Sequence, residues 1–156
     1  MRRRRADKRE ITPDPKYKNL VITKFMNVIM VCGKKSTAEW IVYQSLENAA
    51  KQLGKTDVVE ILQKALDNAR PLLQLKSRRV GGATYQIPIE VTEEKGIGMA
   101  MRWIRNSAKS RKGKSMEDRL AEEIRDAYNG QGIAVKKKEE IHKMAEANRA
   151  FSHYRW

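Results

Sequence analysis

Cationic side chains lead into a glycine pair in the middle of the chain, and the chemistry available to them is the binding of phosphate. Lys76, Arg78 and Arg79 precede Gly81-Gly82. Glycine at both central positions permits the positive φ angles of a tight hairpin turn. The residues after the turn alternate between polar and apolar, which is the period of a strand. This pattern predicts a basic two-stranded β-ribbon, which is marginal alone in water and is expected to lie against a polyanion.

The charge of the whole chain favours the same chemistry. Its net charge is +14, from 33 Lys and Arg against 19 Asp and Glu, a balance typical of nucleic-acid-binding proteins and, less often, of membrane-surface proteins. Residues 1–35 hold eleven basic and three acidic residues, and residues 96–116 hold six basic residues and no acid. Solubility does not require such segregation. A binding face assembled from separate segments would produce it.

The residue sets of common catalytic and metal sites are missing from the sequence. His142 and His153 are the only histidines and Cys32 is the only cysteine, so a zinc site is not predicted. We expect Cys32 to be a small core residue, because no histidine lies near it in sequence to activate the thiol. No pair of carboxylates stands out as an acid–base couple. We therefore expect no enzyme activity, no catalytic residue, no metal and no cofactor.

Apolar periodicity and turn residues predict the elements that position these cations. The fold class is mainly α, a single helical domain of about six helices with a projecting β-ribbon arm. Ser36, Thr56 and Ser115 are the expected N-terminal caps of three of the helices. Residues 1–18 are expected to be a basic, flexible N-terminal arm ahead of a domain over residues 19–156. The helices are expected over residues 20–31, 36–53, 56–70, 92–108, 115–129 and 134–150, with the ribbon at about 72–91.

Several of these residues also have a purely structural interpretation. Trp40 and Trp103 are expected in the core, although Trp103 lies between two arginines and could serve as a stacking platform. Tyr85 is expected to pack on the ribbon, with stacking on a base as the alternative. Lys34 and Lys35 fit equally well as charges that offset a helix dipole.

Four ordered motifs give the chain a resemblance to the family of small-subunit ribosomal protein seven, of the bacterial or organellar type. The resemblance covers essentially the whole chain. The motifs are Pro13-Asp14-Pro15-x-Tyr17, Phe25-x-Asn27-x-x-Met30-x-x-Gly33-Lys34-Lys35, Ser77-x-Arg79-Val80-Gly81-Gly82-Ala83-x-Tyr85-Gln86-Ile87-Pro88 and His142-x-Met144-Ala145-x-Ala147-Asn148-x-Ala150-Phe151-x-His153-Tyr154-Arg155.

This resemblance implies a non-enzymatic function in translation. Members of the family are primary binders of small-subunit ribosomal RNA and nucleate assembly of its 3′ major domain, which becomes the head of the subunit. They lie at the subunit interface near the exit tRNA site and the messenger path, beside other head and platform proteins. The expected location is the cytoplasmic ribosome, with an organellar ribosome left open. The RNA-contacting residues that we expect are Arg2, Arg3, Arg4, Arg5, Lys8, Arg9, Lys24, Lys34, Lys35, Lys76, Arg78, Arg79, Tyr85, Arg102, Arg105, Lys109, Arg111, Lys112, Lys114, Lys136 and Lys137.

Two other classes of protein remain open from the residues alone. A DNA-binding architectural protein would share the charge and even a basic ribbon, but the chain has no obvious dimerisation seam. A peripheral membrane protein would need a basic amphipathic helix with an exposed apolar face, whereas these helices are patterned to pack together. No apolar run approaches the length that crosses a bilayer, so we expect no membrane partner.

Overall fold

A computed structural model describes residues 9–154 of the chain. It confirms the predicted fold class, because the described residues form a mainly helical structure with a two-stranded antiparallel β-hairpin. We label the elements in chain order. They are α1 (Leu20–Ile29), α2 (Lys35–Leu53), α3 (Val58–Ala69), β1 (Leu73–Val80), β2 (Ala83–Glu90), α4 (Glu93–Ser110), α5 (Met116–Tyr128), α6 (Ile133–Ala147) and a C-terminal 3₁₀ helix (Arg149–Tyr154). None of the helices described in this range has the length and apolarity needed to span a membrane.

Helix α5 lies at the centre of the helical core. It packs against α2, α3, α4 and α6, while α1 packs on α2 and α4. The apolar side chains that face α5 recur at helical spacing in each of these helices, so that every helix buries one stripe. The largest side chains with almost no exposed surface include Phe25, Leu46, Ile61, Ile104 and Ile124. The α1–α4 contact matters for function, because it joins two of the predicted basic segments.

Gly96 permits the close approach of α4 to the end of α3. A Cβ atom at this position would lie 2.9 Å from the Cγ atom of Arg70 and 3.1 Å from the carbonyl oxygen of Pro71. A larger residue would therefore require the Arg70 side chain to move and the Pro71 backbone to shift by a few tenths of an ångström.

The ribbon forms the predicted hairpin around its glycine turn. Val80 pairs with Ala83 across the turn, and Gly81 and Gly82 have φ angles of 57° and 90°. The ribbon is also supported from one side, because β1 packs on α6 and β2 packs on the 3₁₀ helix. Ile87 is completely buried in that contact. The 3₁₀ helix was not expected from the sequence, which predicted that α6 would continue to about residue 150.

Two of the predicted helix caps are wrong by one or two residues. Lys34 rather than Ser36 is the N-cap of α2, and Asp57 rather than Thr56 is the N-cap of α3. The Asp57 carboxylate accepts from the backbone N–H groups of the second and third helical residues at 3.0 and 3.1 Å. Asp and Thr are both preferred N-cap residues, so the sequence pattern could not choose between Thr56 and Asp57. The predicted cap Ser115 is confirmed.

Burial corrects two expectations and confirms a third. Trp40 is 53% exposed on α2 instead of lying in the core, and Trp103 is buried as predicted, with 8% exposed. Cys32 is exposed rather than buried and has a φ angle of 54°. The turn after α1 uses two left-handed residues in succession, Cys32 and Gly33, and this directs the cysteine toward solvent.

The segment predicted as an arm ends in a packed turn. Asp14 is 3% exposed, and its carboxylate accepts hydrogen bonds from the backbone N–H groups of Lys16 and Tyr17 at 3.1 and 2.9 Å. It also accepts from the Tyr43 hydroxyl at 2.6 Å, which ties the turn to α2. Burial and the Asp14 carboxylate together raise the pKa of Tyr43. The ordered fold therefore begins before residue 19.

Candidate nucleic-acid interface

Arg105 is the best-positioned cation of the basic surface. It lies on α4, where the helix packs against α1, and its Nη1 donates to the carbonyl oxygen of Val28 at 3.0 Å. Its Nε and Nη2 donate to the side-chain oxygen of Asn106 at 3.1 and 3.0 Å. All of these acceptors are neutral. The guanidinium is therefore held in one orientation, and no carboxylate among the described residues pairs with it, as the binding of an anion requires.

A shallow hollow of about 180 Å³ opens beside Arg105, between the ends of α1 and α4 and the start of α2. Lys34, Arg105 and Lys109 stand around it, and none of its lining residues is acidic. Within residues 9–154, none of these three cations forms an ion pair. The apolar lining residues are Ile29, Met30, Val31, Ala38, Ile41 and Met116. We call this the α1–α4 hollow.

The other predicted cations of the helices lie on α1, α2, α4 and α6. Lys35 is exposed beside the hollow and has Glu39 one helical turn away, with 3.6 Å between nitrogen and oxygen. Arg102 is exposed on α4, and its Nε donates to the Gly98 carbonyl at 3.1 Å.

Lys137 of α6 lies over the Trp103 ring at 5.9 Å from its centroid, which brings the start of α6 against α4. The exposed Lys136 neighbours it, and Lys24 is half-buried on α1.

Arg111 is in a different electrostatic environment from the rest of this group. Its Nε and Nη2 donate to Glu123 at 3.0 and 2.6 Å, and Nη2 also donates to Asp126 at 2.6 Å. Glu122 lies at 3.4 Å and also pairs with Lys114. Glu123 is fully buried and accepts a further hydrogen bond from the first turn of α6. The sequence analysis missed this role, because all three acids come from α5. Contact of Arg111 and Lys114 with RNA stays a prediction.

Two carboxylates of this cluster, Glu122 and Asp126, have a lowered pKa. The hydrogen bond from Lys114 lowers the pKa of Glu122. Burial alone would raise the pKa of Asp126, but hydrogen bonds from Arg125 and Arg111 outweigh it, so that its pKa falls below the ordinary value. Lys112, the remaining cation of the loop, is exposed.

Of the four predicted contact residues on the ribbon, two are exposed and two pack against the 3₁₀ helix. Lys76 and Arg79 are exposed, whereas Arg78 is half-buried and donates to the backbone carbonyl of Tyr154. The Tyr85 ring packs against Phe151 and Tyr154, with centroids 5.0 and 5.6 Å apart. This is the structural interpretation that the sequence analysis favoured for Tyr85. The 3₁₀ helix is therefore fastened to the ribbon by an aromatic cluster and by Arg78.

Arg2, Arg3, Arg4, Arg5 and Lys8 lie outside the described residues. Arg9 is described and exposed.

Sequence reasoning missed the residues that orient the cations. Asn106 and the Val28 carbonyl fix Arg105, and the Arg119 side chain donates to the Arg111 carbonyl at 2.8 Å at the end of α4. These contacts join different elements or have no pattern in sequence, so no local signal could have found them. No group of three or more His, Cys, Asp or Glu side chains in the described part of the chain could hold a metal ion.

Comparisons with known proteins agree with the geometry over the full length. The family model described as ribosomal protein S7p/S5e matches residues 1–149. The chain is 57% identical over 155 residues to the small ribosomal subunit protein uS7 of Acidithiobacillus ferrooxidans, covering 99% of both chains. It is 56% identical over 155 residues to the uS7 protein of Geotalea uraniireducens, again covering 99% of both. With the uS7 protein of Pseudothermotoga lettingae the identity is 54% over 156 residues and covers all of both chains.

Proposed function

The chain belongs to the ribosomal protein S7p/S5e family, of the bacterial type, and we propose that it binds ribosomal RNA through the basic surface around the α1–α4 hollow. It is a structural component of the small ribosomal subunit in translation and not an enzyme. The environment of Arg105 is the observation that carries the proposal. Neutral acceptors orient its guanidinium and leave its positive charge available to an anion.

The physical basis of the proposed recognition is the shape of folded RNA. The major groove of an RNA helix is deep and narrow, so proteins bind folded RNA through its phosphates, its 2′-hydroxyls and its unpaired bases. Cations on α1, α2, α4 and α6 are held on one rigid helical core, so they can contact several RNA strands at once. Neutralising the phosphates lowers the repulsion between RNA helices and favours the compact form of the RNA.

The resemblance in motifs supports a more specific proposal. We infer that the RNA is the 3′ major domain of the small subunit, and that the protein nucleates assembly of the subunit head. In this proposal it lies near the exit tRNA site and the messenger path, beside head and platform proteins. The ribbon, with Lys76 and Arg79 exposed, is a second contact element beyond the hollow.

A competition experiment at near-physiological salt tests the proposal. The labelled junction of the 3′ major domain would compete with an unrelated structured RNA, with duplex DNA and with anionic liposomes. We expect strong preference for the junction, because shape recognition adds to charge. Equal binding to all nucleic acids would mean that charge alone drives association, and preference for duplex DNA or liposomes would favour one of the two alternative classes.

A further inference from the structure

The α1–α4 hollow has a composition that phosphate binding alone does not explain. Cations suffice to hold phosphates, yet the floor of this hollow is made of aliphatic and methionine side chains. Val31 at its edge is 55% exposed. An open apolar surface ringed by polar groups is typical of a ligand site.

The size and charge of the hollow restrict what can fill it. About 180 Å³ is below the volume of pockets that hold drug-sized molecules, and suits a flat group the size of a single ring system. The rim carries Lys34, Arg105 and Lys109 and no acid, so it favours an anionic ligand, and the apolar floor favours a flat group with an uncharged face. An unpaired nucleotide has both properties, because its base is planar and its flanking phosphates are charged.

We propose that the α1–α4 hollow receives one unstacked base of the bound RNA, with the adjoining phosphates on Lys34, Arg105 and Lys109. This inference rests on the proposed function and adds a base-binding subsite to it. The hollow has no aromatic lining, so the base is held by burial against Met30, Met116 and their aliphatic neighbours rather than by ring stacking. Methionine side chains adapt to flat ligands of different shape.

The geometry of Arg105 favours insertion of a base over passage of a helix. Arg105 itself lines the hollow, and hydrogen bonds to Val28 and Asn106, which do not line it, hold its guanidinium, so a phosphate bound there would lie at the rim. The charged backbone therefore stays near solvent while the base enters. Unstacking a base costs least where the nucleotide is already unpaired.

The test is a variant that fills the hollow without changing any charge. Thr37 is exposed and lines the hollow, so Thr37→Phe should occupy it with little effect on the core. The matched control is Ser36→Phe, also exposed on α2 but not part of the lining. Thermal denaturation of both variants checks that they are folded.

Two readouts follow binding to the 3′ major domain junction. In the first, 2-aminopurine replaces each unpaired adenine in turn. At one position we expect wild-type protein and Ser36→Phe to raise its fluorescence, because the base leaves its stack without meeting an aromatic ring, and Thr37→Phe to abolish that rise. In the second, Thr37→Phe should weaken junction binding by about tenfold while leaving its weak binding to fully paired RNA unchanged.

The outcomes separate this inference from the proposed function. If wild-type protein prefers the junction but Thr37→Phe binds it with wild-type affinity and the same fluorescence, the base-binding subsite is refuted and RNA binding stands. The same refutation follows if Thr37→Phe and Ser36→Phe weaken binding equally. If wild-type protein shows no preference for the junction, the proposed function fails and the inference fails with it.

Discussion

Arg105 and Arg111 lie near the same end of α4, yet the structure gives their charges opposite uses. Arg105 donates only to the neutral oxygens of Val28 and Asn106, and its charge faces an open hollow. Arg111 donates to acidic side chains of α5, one of which is fully buried. The number of cations in a sequence segment therefore overestimates the positive charge available to a partner, because some of those cations form ion pairs in the folded protein.

The difference arises from the groups that each arginine contacts. A buried carboxylate such as Glu123 is costly unless a cation and hydrogen bonds compensate it. Arg111 and the backbone N–H of Ala134 supply that compensation, and so connect the α4–α5 loop to α5 and to the start of α6. In the part of the chain that the structure describes, Arg105 pairs with no carboxylate, so its charge is available to a partner. The first site serves stability and the second is available for binding.

The largest expected effect is the loss of stability when Arg111, which is bound to carboxylates of α5, is replaced. Replacing Arg111→Met should lower the free energy of unfolding by about 3–5 kcal/mol, because it leaves a buried charge without its partner. Guanidinium denaturation measures this. The matched variant Arg105→Met should lose less, about 1–2 kcal/mol, because its three hydrogen bonds go to neutral oxygens and their loss leaves no buried charge unpaired. Equal losses in the two variants would remove the distinction between the two sites.

RNA affinity should depend more on Arg105 than on arginines that carboxylates already neutralise. We expect Arg105→Ala to weaken binding to the junction by about tenfold or more, since a charged hydrogen bond to phosphate contributes about 1.5–3 kcal/mol. Gel-shift titration at fixed salt measures the change. Arg125→Ala is the control, because Asp126 already neutralises that guanidinium. An Arg105 variant with wild-type affinity would show that the oriented charge is not used.

Acid should weaken the fold through the Arg111 cluster. The folded-state pKa values of Asp126 and Glu122 are lowered, so their stabilisation is present above the ordinary carboxylate range and is lost as pH falls through the folded values. Urea denaturation from neutral pH to about pH 3 should show this loss in the wild-type protein. The loss should be shallower in Arg111→Met, which removes one cause of both shifts. An identical pH dependence in the two proteins would argue against the coupling.

The smallest expected effect concerns single lysines. Lys109→Ala should reduce the slope of log affinity against log salt by about 0.9, the release of counterions from one phosphate. Lys114→Ala should change the slope less, because Glu122 already neutralises that ammonium group. Filter binding across a salt series gives both slopes. A larger change for Lys114 than for Lys109 would reverse the comparison.

Local signals made much of the fold predictable. The Gly81-Gly82 turn and the alternating strands fixed the hairpin, because two-residue turns depend on backbone angles that glycine adopts readily. Helical spacing located six helices, with errors of one or two residues where Asp57 competes with Thr56 as a cap. The position of Trp40 was wrong, because helical periodicity marks an apolar face without saying whether a neighbouring helix covers it.

The amino-acid sequence alone establishes the mainly helical class, the basic ribbon and the family, since these depend on local angles, spacing and residue identity. Only the tertiary structure brings α5 acids to Arg111, places Lys34 and Lys109 around one apolar hollow and seats the 3₁₀ helix on Tyr85. The reason is physical. Charge neutralisation and cavity shape depend on distances of a few ångströms between groups far apart in the chain, and no local pattern encodes those distances.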